Sequence, residues 1–162
     1  MNKQELKKRC LKIISEIRWK YPTLKNIKIN LKVKKLRKGS MWANKAFYLY
    51  YLIKVNPKKY LGASDKELRG GLAHELIHLE DAKKMNILEF IIFFFKYHLS
   101  KKFAKQWELN TDKRTIERGY GRELYVNRKF RFKNLSEKDK KIMKNYFGPE
   151  KIKQYAKKIG KW

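Results

Sequence analysis

The chain has 162 residues, 43% of them hydrophobic and 14% aromatic, which suits one compact domain with a real core and excludes a disordered basic tail. Lys and Arg number 43 against 15 Asp and Glu, and the resulting +28 attracts nucleic acid, anionic lipid headgroups or acidic proteins. Cys10 is the only cysteine, which excludes an intrachain disulfide and fits a reducing, cytoplasmic compartment.

In chain order, residues 3–19 predict an amphipathic helix, with Leu6, Cys10, Ile13, Ile14 and Ile17 at helical spacing. Cys10 lies within that apolar stripe and reads as a buried thiol. No long apolar run follows the basic N-terminus, so no secretory signal is expected. Pro22 closes the segment. Ile27, Ile29, Leu31 and Val33 then alternate with Lys28, Asn30, Lys32 and Lys34, the pattern of a half-buried strand. Gly39-Ser40 marks a turn, and residues 46–55 predict a second strand that Asn56-Pro57 stops.

Ser64-Asp65-Lys66-Glu67 is a capping box, in which Ser64 and Glu67 reciprocally satisfy orphan amides, and the helix it opens is expected to run to about Lys84. Further helices are expected over 87–99, 101–118, Ser136–Asn145 and Pro149–Lys158. Helix, strands, then helices indicate an α+β fold in one domain. Residues 1–60 form its helix-and-sheet part, 61–120 its metal-site helices, and 121–162 a basic C-terminal helical segment. The 87–99 stretch is apolar all round but carries Glu89, Lys96 and His98, and is too short for the roughly 20 residues a membrane span needs. It reads either as a helix buried between its neighbours, the expectation here, or as one in monotopic contact with a membrane surface.

Residues 74–78 read HELIH. On a helix, His74 and His78 stand one turn apart on one face, so two imidazoles can reach one metal ion, and Glu75 can hold the attacking water and accept its proton. Zn2+ suits a nitrogen-rich site of this kind. Two histidines surrounded by solvent is the plainer alternative. Against it, only three histidines occur in the chain, and two of them are here. The angles agree as well. At about 100° per residue, Leu68, Leu72, Leu76 and Leu79 fall within a stripe of roughly 80°, and the histidines point to the opposite side. Gly70 and Gly71 lie inside this helix, where a close neighbouring backbone or a frayed first turn would explain them.

A catalytic zinc site needs a third protein ligand. The extended pattern HExxHxxGxxH is excluded, because Asp and Lys occupy positions 81 and 84. Downstream, Ala104, Glu108, Thr111, Asp112, Thr115 and Gly119 share one helical face on which everything but the two acids is small. Such a face lets the helix approach closely, with Glu108 as ligand and Asp112 bonded to the free nitrogen of a ligand histidine. The competing account is that both acids merely offset Lys105, Lys113 and Arg114. Glu117 points to the other side of that helix. Tyr120, Tyr125 and His98 are candidates for an oxyanion donor, and none of them stands out among ten tyrosines.

HELIH followed by Glu108-xxx-Asp112 resembles the gluzincin metallopeptidases. The run ELNTDKRTIERG over Glu108–Gly119 is similar to the corresponding helix of HtpX-like and CAAX-prenyl-protease-like peptidases, and the short length is similar to the minigluzincins. The resemblance implies a zincin-like fold with a short mixed or antiparallel sheet. It implies a metalloendopeptidase with His74, His78 and Glu108 on Zn2+, Glu75 as base and Asp112 supporting a histidine. It also implies that the strand at 46–55 borders the cleft and pairs with a peptide or protein substrate, and that residues 134–162 shield the site. HtpX-like enzymes carry membrane spans and this chain has none in its sequence. The net charge leaves two further associations open, with nucleic acid or with an anionic membrane surface. The alternative function is a basic, nucleic-acid-associated zincin-like protein with a structural or recruiting role.

Overall fold

The computed structural model describes residues 2–37, 39–46, 50–133, 135 and 143–162. Helix α1 (Lys3–Ile17) begins at Asn2, whose side chain accepts the Glu5 amide at 2.9 Å, and buries the five apolar residues that its periodicity selects. Cys10 is among them, and burial pushes its thiol up to about 12, which leaves it protonated and inert. Two 3-10 turns then lead into a three-stranded sheet of β1 (Ile29–Val33), β2 (Met41–Ala46) and β3 (Tyr50–Val55).

The sheet is mixed. β3 lies in the centre, parallel to β1 with Ile29 opposite Tyr51, and antiparallel to β2 with Met41 opposite Val55 and Ala46 opposite Tyr50. This corrects the single strand expected over 46–55: Ala46 ends one strand, Tyr50 starts the next, and the edge strand Met41–Ala46 was not foreseen. MWANKA lacks a clean alternation because a lysine, Lys45, is one of its inward residues, buried with its Nζ 3.3 Å from the Ala82 carbonyl.

After the single turn of α2 (Pro57–Tyr60), α3 (Asp65–Lys84) starts at the Ser64 capping box, with both reciprocal bonds present. Leu68, Leu72, Leu76, Ile77 and Leu79 are fully buried against α1 and the sheet. On the other side α3 is crossed by α6 (Gly121–Lys133), a helix that was not foreseen as a separate element. The glycines explain the crossing. A Cβ on Gly70 would fall on the Glu123 carbonyl and 2.7 Å from the Leu124 amide nitrogen, so this is a close backbone approach and not a frayed turn.

Helix α4 (Ile87–Leu99) has its own capping box, Asn86 with Glu89, and α5 (Lys101–Thr115) is capped by Ser100. The helix expected over 101–118 departs from α-geometry at Ile116, where a π-turn over Ile116–Tyr120 contains Gly119 at φ 86°, and α6 begins just after it. Helix α7 (Pro149–Lys158) lies where Gly148-Pro149 signals it. It is no detachable tail, because Ile152 and Ala156 are fully buried with Ile116 and Leu124 in a second apolar cluster. The helix expected over Ser136–Asn145 lies outside the described residues over 136–142. The fold is α+β, as expected. Among the described residues, no helix is long and apolar enough to cross a membrane.

One expectation fails outright. No residue of α4 is buried, so it is not sandwiched between α3 and α5. Only one flank packs on the protein, through Phe93 against Phe103 and Trp107 with ring centroids 6.0 and 4.6 Å apart.

Candidate metal centre

His74 and His78 project from the middle of α3, and the small-residue face of α5 brings Glu108 up to them. Glu108, Thr111, Asp112 and Thr115 are all buried on that face. Arg114 of α5 and Arg118 of the following π-turn both pair with Glu80 of α3, and Arg114 reaches Asp81 at 2.5 Å. The residue that excludes the longer zinc pattern therefore serves as a clamp. It also removes the charge-offset account, since Arg114 is paired elsewhere and Glu108 is only 3% exposed, facing the histidines.

Three ligand-type atoms converge. His74 Nε2 lies 3.1 Å from His78 Nε2, and Glu108 Oε2 lies 3.2 and 3.3 Å from those two nitrogens. Tetrahedral zinc with bonds of about 2.0–2.1 Å separates its ligands by about 3.3–3.4 Å, so the three atoms lie within about 0.3 Å of that spacing, and imidazole and carboxylate are donors such an ion takes. The three side chains therefore form a His-His-Glu group that could hold a metal ion.

Each member is oriented from behind. Asp112, with no exposed surface, places Oδ1 2.9 Å from His74 Nδ1 and 2.5 Å from Arg128 Nη2, while the Phe147 amide donates to Oδ2 at 2.8 Å. Tyr97 donates its hydroxyl to Glu108 Oε1. The Trp107 indole N–H donates to His78 Nδ1 at 3.3 Å.

The electrostatics follow from this crowding. Burial works to lower His74's pKa, but Asp112 and Glu108 outweigh it and raise it to about 9. Burial works to raise Glu108 and Asp112. The histidines prevail at Glu108 and hold it well below the carboxylate range, and Arg128 with His74 lowers Asp112. Glu75 goes the other way: burial raises its carboxyl above the usual value despite both histidines. A carboxylate whose proton affinity is raised beside a metal-type site is the property a general base needs.

Beside this group opens a cleft of about 160 Å³. One wall is β2, from Met41 to Asn44; the other is α4 and α5, through Phe90, Phe93, Tyr97 and Trp107; Glu75, His78, Glu108 and Tyr146 line the interior. The bordering strand is thus β2 and not the segment at 50–55, which is bonded on both sides and cannot accept another strand.

Of the tyrosines singled out from the sequence, Tyr120 stacks on Tyr21 and Tyr125 packs edge-on against Trp162. His98 reaches the rim of the cleft, stacked on Phe94. Glu117 accepts the Tyr155 hydroxyl at 2.6 Å, away from the cluster. Sequence reasoning missed Tyr97, Trp107, Arg128 and Tyr146. Tyr97 is the one side chain with a hydroxyl in a mostly apolar helix, a signal that could have been used. Tyr146 and Arg128 carried none, because the turn before α7 and the unforeseen α6 deliver them. Compared with known proteins, the chain matches no protein-family model, no curated protein and no solved structure.

Proposed function

We propose that this protein is a zinc-dependent metalloendopeptidase. The observation that carries the reading is the convergence of His74, His78 and Glu108 at zinc-like separations beside a cleft that Glu75, His78 and Glu108 line. When bound, Zn2+ would polarise the scissile carbonyl and acidify the attacking water. The chain's own residues supply the rest. Glu75 accepts the water's proton and returns it to the leaving amine, and its burial-raised proton affinity suits both transfers. Asp112 and Tyr97 hold His74 and Glu108 in orientation. Tyr146 lines the cleft with its ring centroid 5.7 Å from that of His74, and its phenol stays protonated because burial raises its pKa. It replaces the sequence candidates as the donor to a developing oxyanion. An extended substrate pairs with the outer edge of β2.

The test is Glu75→Gln. Protein loaded with one zinc per chain should lose cleavage of unfolded casein while keeping its metal, and loss of metal together with activity would show that Glu75 is a ligand instead. A second reading rests on the net charge of +28: a zincin-like protein that associates with nucleic acid and whose metal site is structural. It expects a metal-loaded chain that cleaves nothing and binds DNA with a steep salt dependence.

A further inference from the structure

Helix α4 has two unlike sides. Phe93 and Tyr97 face α5 and the cleft. The remaining surface carries most of the large apolar side chains exposed among the described residues. Ile87, Leu88, Ile91, Ile92, Phe94, Phe95 and Leu99 are 44–80% exposed. At 100° per residue they occupy one arc of about 160°, and the helix's two charged side chains, Glu89 and Lys96, fall outside it. His98, stacked on Phe94 with centroids 4.3 Å apart, is the one polar residue within it. A patch of this kind on a folded chain marks an interaction site.

Charge identifies the occupant. Exposed lysines bracket the arc at both ends: Lys83 and Lys84 close α3 just before it, and Lys101, Lys102 and Lys105 open α5 just after it. A second copy of the chain seated on this face would set those lysines against their own kind, in a molecule of net charge +28. Nucleic acid would engage the lysines but leave the apolar arc in water. A surface with an apolar interior beneath an anionic skin satisfies both features. We infer that α4 docks this protein onto an anionic lipid bilayer, lying in the interface with its apolar arc among the upper acyl chains and the bracketing lysines on the headgroups. Its 13 residues span about 20 Å, short of the roughly 30 Å hydrocarbon core, so the helix lies on the membrane and does not cross it. Because Phe93 and Tyr97 of the same helix wall the cleft, docking holds the cleft against the lipid surface.

The experiment is sedimentation of the full-length, metal-free chain with sucrose-loaded vesicles, so that its outcome does not depend on peptidase activity. In 0.1 M NaCl, partitioning onto phosphatidylcholine–phosphatidylglycerol vesicles at 3:1 should exceed that onto pure phosphatidylcholine by about 10-fold or more, as several lysines at the surface imply. It should fall steeply at 0.5 M NaCl. The exposed-residue variant Leu88→Ser/Ile92→Ser/Phe95→Ser, with folding checked by circular dichroism, should lose at least about 10-fold of that partitioning. Ile92→Glu alone, which disturbs less, should move in the same direction. Equal binding to both vesicle types overturns the inference, as does undiminished binding of the apolar variants. A dimer in solution that those variants disperse, without vesicle binding by the parent, assigns the face to a second copy and also overturns it. DNA retention untouched by the variants, with no vesicle binding, has the same consequence.

Discussion

Asp112→Asn separates what this carboxylate does for the metal centre from what it does for the fold. Asp112 has no exposed surface and Arg128 is 1% exposed, so their 2.5 Å contact is a buried ion pair. Neutralising one partner of such a pair leaves the other charge stranded and typically costs about 3–5 kcal/mol. A domain of this size has only about 5–15 kcal/mol to lose, so the metal-free variant should stay folded with a much lower unfolding midpoint. Independently, the weakened contact to His74 Nδ1 should reduce zinc affinity about 10–100-fold. Adding Arg128→Met removes the stranded guanidinium, and Asp112→Asn/Arg128→Met should recover much of the stability but none of the lost zinc affinity. Urea unfolding in EDTA keeps metal linkage out of the stability measurement, and competition with a chromophoric chelator reads the affinity. Two results would refute the reasoning. A cost below about 1 kcal/mol for Asp112→Asn would mean that the buried pair does not hold α6 to α5. Recovery of stability and zinc affinity together in the double variant would mean that Asp112 serves the fold alone.

Glu108→Gln should give a folded chain that retains almost no zinc in equilibrium dialysis, whereas Glu117→Gln, whose carboxylate accepts from Tyr155 on the exposed side, should bind zinc like the parent; an emptied site in the Glu117 variant would show that the wrong acid had been assigned. His74 has a folded pKa of about 9, raised from 6.5, so its protonation stabilises the metal-free chain fully below about pH 6.5, and that contribution is lost as pH rises through 9. Zinc must displace the same proton, so affinity should climb about tenfold per pH unit between 7 and 9 and flatten above, as calorimetry in buffers of different ionisation enthalpy would record. Gly70→Ala is a test of sign: an open helix position would gain up to about 1 kcal/mol, but the Cβ would strike the backbone of α6, so a loss of about 1–3 kcal/mol or more is expected from denaturant melts.

Patterns confined to a few neighbouring residues were legible in the chain. The apolar spacing of α1, the Ser64–Glu67 and Pro149 starts, the shared face of His74 and His78, and the small face of α5 are local patterns. Each follows from helical periodicity or from orphan amides that need a partner. The tertiary structure alone decided what depends on contacts between distant segments. Helix α6 escaped notice because its buried residues include Asn127 and Arg128, whose partners are Tyr60, the Glu67 carbonyl and Asp112, so no apolar stripe marks it. β2 escaped because its buried Lys45 breaks the alternation. Composition could not tell a covered α4 from a bare one, since an all-round apolar helix suits either a core or a lipid surface, and only the position of α5 leaves its arc outside. Tyr146 was illegible for the same reason. A phenol's use is set by what a distant turn or helix brings within 3 Å or so of it, and hydrogen bonds at that range are not written in sequence spacing.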